Sequence, residues 1–194
     1  VQEKYREADQ AFSRALTRDD GYYEYYLGRG LAKSKQGMVA AAREDLTRST
    51  ELLPTAVAAN ALGEISLNLG DRSTAKSYFE SAMTAGGPVG RKAGAAYLKI
   101  DVTDNPIKYL KVQSRLSDNR ELLARLSNTS PARMSEISLE FLATLNGQPV
   151  RRVVTVRSLD PRATGNVSSG WRIRETDQIE NLNIKILSAA PSFP

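Results

Sequence analysis

Small and large apolar residues recur at helical spacing through the first hundred residues of the chain. Two stretches carry the same series: a glycine, a second glycine seven residues later, and then apolar or small residues three to five apart. The two series are Gly30, Gly37, Ala42, Leu46, Ser49 and Pro54, and Gly63, Gly70, Ala75, Phe79, Ala82 and Gly86-Gly87. A shorter series, Ala8, Phe12 and Ala15, precedes them, and Ala8, Ala42 and Ala75 lie 34 and 33 residues apart. Because residues three and four apart share one helix face, the pattern predicts a repeat of helix pairs.

The period and the pattern resemble the tetratricopeptide repeat, a helix-turn-helix unit of about 34 residues. The first glycine of each pair is expected inside the first helix, where the second helix approaches closely, and the second glycine is expected to end that helix in a left-handed conformation. Arg29 departs from the family pattern, which has an apolar residue there, and Ser49 replaces the usual Ala. Residues 89–100 keep an apolar stripe and predict a terminal helix that covers the last repeat.

Beyond Asn105-Pro106 the apolar residues alternate instead, and proline disfavours a helical conformation at the residue before it. Residues 137–145 predict a strand, Asn146-Gly147 a hairpin turn, and residues 150–159 the returning strand. Further strands are expected at 109–116, 121–126, 171–174 and 182–186, with a Gly/Ser/Asn-rich loop between 160 and 170. We therefore predict an α+β chain of two domains, an α-α superhelix of tetratricopeptide type over residues 1–104 and a small antiparallel β-sandwich over residues 105–194.

The composition removes several classes of chemistry, because the chain contains no His and no Cys. A Ser-His-Asp triad, a Cys nucleophile, a thiolate or imidazole zinc site and a disulfide are all excluded from these 194 residues. Three carboxylate pairs, Asp19-Asp20, Glu44-Asp45 and Asp101/Asp104, fall at predicted helix ends or on polar helix faces, where capping and solvation explain them. There is no phosphate-binding glycine loop with its lysine, and no apolar run approaches the roughly 18 residues of a spanning helix. We expect no enzyme activity, metal or cofactor in this chain.

A tetratricopeptide array offers a concave groove lined by the first helix of each unit. The pattern assigns to this groove Glu24, Leu27, Leu31, Ser34 and Lys35 from one unit, and Asn60, Glu64, Leu67 and Asn68 from the next. Leucine side chains supply apolar contact and asparagine side chains pair with backbone amides, so the expected partner is a peptide or protein segment. Any such array has a groove, so its use stays open at this point.

The net charge of +5 belongs to the predicted β domain. Residues 1–105 hold 14 basic and 14 acidic side chains, whereas residues 106–194 hold 13 and 8. A candidate basic face consists of Arg151, Arg152, Arg157, Arg172 and Arg174. Such a face favours an acidic partner, a nucleic acid or anionic lipid, and the alternative is a solvated sheet that resists aggregation. The few aromatic residues in this half argue against nucleic acid.

A narrower resemblance rests on the two repeats, on Leu62-Gly63-Glu64-Ile65, on residues 105–110 and on the small β domain. Together they resemble the C-terminal region of bacterial envelope zinc metalloproteases, whose His-Glu-x-x-His domain lies upstream. The resemblance implies an accessory role that positions substrates or envelope partners, a periplasmic or envelope location, and zinc only in an upstream domain. The start inside a repeat suggests the same extension. The alternatives are a scaffold or assembly factor whose β domain mediates oligomerisation, with a cytoplasmic location possible, and a basic binder of nucleic acid or lipid.

Overall fold

A computed structural model of the chain describes residues 2–193, in which six α-helices precede six β-strands. The helices are α1 (Gln2–Leu16), α2 (Tyr23–Lys35), α3 (Val39–Leu52), α4 (Ala56–Asn68), α5 (Arg72–Met83) and α6 (Gly87–Asp104). After a short 3-10 helix (Pro106–Tyr109), the strands are β1 (Leu110–Leu116), β2 (Glu121–Asn128), β3 (Arg133–Leu145), β4 (Gln148–Leu159), β5 (Thr164–Arg172) and β6 (Ile179–Ser192). Residues 1–100 form one compact unit and residues 101–194 another. The boundary predicted from the sequence lies after residue 104, where the helical pattern ends. The α+β class with two domains is confirmed.

The first glycine of each repeat lies where two helices touch. A β-carbon on Gly30 would lie 2.8 Å from Cγ of Leu46, and one on Gly63 would lie 2.7 Å from Cε1 of Phe79. Both distances are shorter than β-carbons tolerate, so only glycine lets α2 approach α3, and α4 approach α5, this closely. The role predicted for these two glycines is confirmed.

The helix ends are set by local residues. Gly37 and Gly70, the second glycines of the two series, have φ angles of 78° and 83°, which L-residues with a side chain rarely adopt. Thr55 and Asp71 cap α4 and α5, because a side-chain oxygen of each accepts the backbone N–H three residues further along the chain. These turns therefore follow the predicted repeat.

Two apolar clusters hold the helical unit together. The first contains Ala42, Leu46, Ala58, Ala61, Leu62 and Ile65, and the second contains Ala59, Ala75, Phe79, Ala82, Ala93 and Ile100. Helix α4 contributes to both clusters, so it is the central helix of the unit. Helix α6 contributes to the second cluster and covers the last helix pair, as predicted from the stripe in residues 89–100.

The β unit is a sandwich of two three-stranded antiparallel sheets, in the orders β1-β2-β5 and β4-β3-β6. Asn146 and Gly147 join β3 to β4 with φ angles of 51° and 76°, the positive values that a type I′ hairpin turn requires. Trp171 packs edge-on against the buried ring of Phe141, with ring centroids 6.3 Å apart. Trp171 of β5 thus contacts the other sheet through Phe141 of β3.

The segment predicted as a loop between residues 160 and 170 is largely a strand. Strand β5 begins at Thr164 and pairs with β2, and Gly165, Val167 and Ser169 are less exposed than the residues between them. Glycine, serine and asparagine have weak strand propensity, so the local sequence does not indicate a strand here. The strand is stabilised by its pairing with β2. Strand β6 is also longer than the predicted 182–186.

Asp101 is buried rather than solvated as the sequence analysis expected. It is 1% exposed, and its carboxylate accepts hydrogen bonds from Lys108, Asn105 and the Tyr109 hydroxyl. A buried carboxylate needs such donors, because its desolvation is costly. Asp101 therefore fixes the short 3-10 helix that leads into β1.

Candidate functional site

The residues predicted to line the groove fall on α2 and α4. Glu24, Lys35, Leu67 and Asn68 are exposed, Leu27, Leu31, Ser34 and Glu64 are half-buried, and Asn60 is buried. The four α4 residues are separated by four, three and one positions, which places them on one face of that helix. Leu27 and Leu31 pack against the first apolar cluster, so they contribute to the helical core as well as to this surface.

Glu24 also has a local interaction at the start of α2. Its carboxylate accepts a hydrogen bond from the hydroxyl of Tyr23, which raises the pKa of Tyr23 because the bond favours the protonated phenol.

Asn60 is the polar residue with the most unusual surroundings on this face. It is 8% exposed, and its Nδ2 donates to Oε1 of Glu64 at 3.0 Å. Its Oδ1 is buried and has no hydrogen-bond partner among residues 2–193. A buried acceptor without a donor costs about 1–3 kcal/mol of folding free energy. Because this oxygen has almost no exposed surface, it is not available to a ligand from solution in this conformation.

Lys92 of α6 belongs to the same polar group. Its Nζ lies 2.6 Å from Oε1 of Glu64, so the series Asn60–Glu64–Lys92 connects α4 with α6. Lys92 is not predicted from the sequence, because the pattern of residues 89–100 indicates only a covering helix. The order of the helices does contain a signal: α6 follows a complete helix pair, so it takes the position of the first helix of a further unit.

Behind α2 lies a buried ion cluster that the sequence analysis placed on a solvated face. Asp45 is 3% exposed, and its two oxygens accept from Nε and Nη2 of Arg29 at 2.8 and 2.6 Å, while Nζ of Lys33 lies 2.8 Å away. The hydrogen bonds from Arg29 to this carboxylate raise the pKa of Arg29. The carboxylate of Asp45 is therefore compensated by two cations, and the solvation expected for Glu44-Asp45 applies only to the exposed Glu44.

A depression of about 720 Å³ lies beside this cluster on α2 and α3. Its lining carries charges of both signs, with Arg43 and Arg48 beside Glu44 and Glu51. The hydrogen bond from Arg48 to Glu51 raises the pKa of Arg48. Because the acids offset the arginines, this depression gives no preference for a charged ligand.

The predicted basic face extends over both sheets, and two of its arginines have partners within the protein. The five arginines assigned to it are Arg151, Arg152, Arg157, Arg172 and Arg174. Arg151 pairs with Oε1 of Glu140 at 2.6 Å, and Arg152 donates to the carbonyl of Ser169 at 2.8 Å. Arg157 also belongs to β4, whereas Arg172 belongs to β5 in the other sheet and Arg174 follows that strand. Arg152 of β4 thus reaches β5 in the other sheet, and a common binding face of the five arginines stays a prediction.

Within residues 2–193, no group of three or more His, Cys, Asp or Glu side chains is arranged to hold a metal ion. In the same range, no helix combines the length and apolar character needed to cross a membrane.

Residues 56–85 match the family model of the tetratricopeptide repeat. The chain contains a tetratricopeptide repeat. The match covers α4, the following turn and α5, so the repeat predicted from the second glycine series is confirmed there. No curated protein matches the chain.

Solved structures show a similar fold. PcrH in complex with the chaperone binding region of PopD is 23% identical, with 53% of this chain and 83% of that chain covered and a TM-score of 0.50. The type III secretion translocator chaperone SycD of Yersinia enterocolitica is 17% identical, with the same coverage and a TM-score of 0.50. At these identities the likeness concerns the fold. These comparisons give no support to the narrower resemblance to metalloprotease C-terminal regions.

Proposed function

We propose that this chain is a non-catalytic scaffold that binds a segment of another protein on the face formed by α2, α4 and α6. The observation that carries the proposal is the mixed polar and apolar surface of α4, where Leu67 and Asn68 are exposed and the half-buried Glu64 is held by Asn60 and Lys92. Every peptide bond supplies a carbonyl acceptor and, except before proline, an N–H donor, so the Glu64 carboxylate and the Asn68 amide can pair with a peptide backbone. Leu67, exposed one turn beyond Glu64, offers apolar contact beside it.

The fold supports the choice of a protein segment as ligand. PcrH, which is similar in fold, forms a complex with the chaperone binding region of PopD. A tetratricopeptide array also joins its helices at a fixed angle and leaves the first helices along one surface. Such a surface suits an extended or helical segment.

Two finer hypotheses stay predictions. An accessory role in a bacterial zinc metalloprotease, with a periplasmic or envelope location, rests only on the sequence resemblance. Its test is to read the upstream part of the reading frame and search it for a metal-binding helix. Oligomerisation through the β unit, in a scaffold that could equally be cytoplasmic, is tested by the mass of the full chain in light scattering. Neither is needed for the binding proposed above.

The experiment selects peptides from a displayed random library with the full chain, and then maps where the selected peptide binds. A photo-reactive residue replaces Leu67 on α4 in one sample and Leu187 on β6 in a second. Both leucines are exposed to a similar extent, 37% and 44%, so the second sample is a matched control. We expect cross-links from position 67 and none above background from position 187. Cross-links from position 187 alone, or a selection that yields no binder, would overturn the proposal.

A further inference from the structure

The outer face of the β1-β2-β5 sheet carries a group of three cations on two neighbouring strands. Leu122, Ala124 and Leu126 of β2 are buried. Because successive side chains of a strand point to opposite faces, the residues between them face outward. Arg172 on β5 is also outward and exposed, and it lies directly opposite Glu121. The other outward and exposed cations are Lys111 and Arg115 on β1 and Arg125 on β2. These three are called the basic sheet face below.

The strand register places these cations close together. Arg125 is directly opposite Gln113 on β1 and Asn166 on β5, and Lys111 and Arg115 lie two residues to either side of Gln113. Each is therefore a diagonal neighbour of Arg125, at about 7–8 Å between Cα atoms. Arg115 and Arg125 line one shallow depression of about 270 Å³, together with Thr164, Gly165 and Asn166.

None of the three cations is neutralised by the protein. Within residues 2–193, Lys111, Arg115 and Arg125 make no ion pair and no side-chain hydrogen bond. The acid on this face, Glu121, lies opposite Arg172 and diagonal to Arg115, without an ion pair to Arg115, and it accepts a hydrogen bond from Ser168. Elsewhere in the β unit, by contrast, Arg133 and Arg151 are paired with carboxylates. Cations that are diagonal neighbours repel one another, and an anionic ligand lowers this repulsion.

We infer that the basic sheet face binds an acidic peptide segment, whose carboxylates are held by Lys111, Arg115 and Arg125. The guanidinium group matches a carboxylate with two parallel hydrogen bonds. An extended peptide presents every second side chain on one side, about 6.8 Å apart, which is close to the spacing of these cations. The depression between the two arginines receives one carboxylate beside the hydroxyl of Thr164 and the amide of Asn166.

Other anions fit this face less well. It has no aromatic side chain on which nucleic acid bases stack. Gln113 and Asn166 flank Arg125 with amide groups, which both accept from the N–H groups and donate to the carbonyl groups of a peptide backbone. The apolar residue among them, Leu123, is half-buried, so the face lacks a protruding apolar group that enters a lipid bilayer.

The test measures the affinity of the full chain for a labelled peptide of alternating glutamate and serine, at low salt and at about 0.2 M salt. The variant is R115Q/R125Q, and the control R6Q/R157Q removes the same charge from exposed arginines elsewhere. We expect binding that weakens with salt, a further loss of about tenfold in R115Q/R125Q and an unchanged affinity in the control. Circular dichroism verifies that both variants fold.

Three results overturn the inference. The first is that the peptide shows no salt-sensitive binding, and the second is that both double variants lose affinity equally. The third is that the two arginines bind RNA, anionic vesicles or inorganic phosphate more tightly than they bind the peptide. Failure here is distinguishable from failure of the proposed function, because the cross-links from position 67 report on α4 alone.

Discussion

Two residues that depart from the repeat pattern have polar partners inside the helical unit. Arg29, at an apolar position of the pattern, holds the buried Asp45 with two hydrogen bonds. Ser49, at an alanine position, donates from Oγ to the carbonyl of Tyr23 at 3.1 Å. Each substitution is thus accommodated by a partner 16 or 26 residues away. The sequence identifies both departures, but their partners depend on how α2 packs against α3.

The charge of Asp45 is predicted to be needed for stability. Asp45→Asn keeps the volume but leaves Arg29 and Lys33 without their counter-charge, so we expect the free energy of unfolding to fall by about 2 kcal/mol. Glu44→Gln is the matched control, because Glu44 is exposed, and it should change stability by less than about 0.5 kcal/mol. Urea unfolding of the full chain measures both. Equal effects of the two substitutions would show that the buried ion cluster is not stabilising.

At the scale of the elements, close helix approach depends on a few glycines. Gly63 lies against the ring of Phe79, whereas a β-carbon on Gly94 of α6 would meet only Cβ of Met83 at 3.8 Å. The spacing of the repeat indicates the first contact from sequence alone. The open space beside Gly94 depends on how α6 packs. The sequence does not predict it, because α6 does not belong to either of the two matching glycine series.

These two glycines provide a matched pair of substitutions. Gly63→Ala introduces a clash that α4 and α5 relieve only by moving apart, so we expect a loss of about 1–3 kcal/mol. Gly94→Ala adds a methyl group in ordinary contact and removes backbone freedom from the unfolded chain, which should stabilise by about 0.5–1 kcal/mol. Thermal unfolding of both variants distinguishes the signs. A Gly63→Ala protein as stable as Gly94→Ala contradicts the close approach.

The cap of α5 makes part of the stability depend on pH. Hydrogen bonds from the backbone N–H of Thr74 and from Ser73 hold the pKa of Asp71 below its ordinary value. A lowered folded-state pKa contributes stability that is present above the unfolded-state value, about 4, and is lost as the pH falls through the folded-state value. Asp71→Asn keeps a good cap that does not titrate, so its melting temperature should fall less steeply below pH 4. Parallel pH dependences of the two proteins would contradict this assignment.

At the scale of the whole molecule, two periods in one sequence correspond to two units. The helical spacing and the alternating pattern each predict an element type, so the fold class follows from the sequence. The basic sheet face does not, because Lys111 and Arg115 are separated in sequence from Arg125 and meet only through the β1–β2 register. The face of α4 is predicted because the repeat fixes it, but the unpaired Oδ1 of Asn60 depends on the positions of its neighbours. Sequence patterns thus locate the face of α4, whereas the basic sheet face and the surroundings of Asn60 depend on strand register and packing.

The measurement that tests the central claim most directly combines binding and stability of Asn60→Leu. We predict that the selected peptide binds this variant at least about tenfold more weakly, since Glu64 loses the donor that positions its carboxylate. The free energy of unfolding should change by less than about 1 kcal/mol, because removal of the unsatisfied buried oxygen offsets the loss of the hydrogen bond from Nδ2 to Glu64. Asn183→Leu, at an exposed position on β6, should leave the affinity unchanged. Unchanged affinity of Asn60→Leu, or a loss of affinity accompanied by a matching loss of stability, would contradict a binding role for this face.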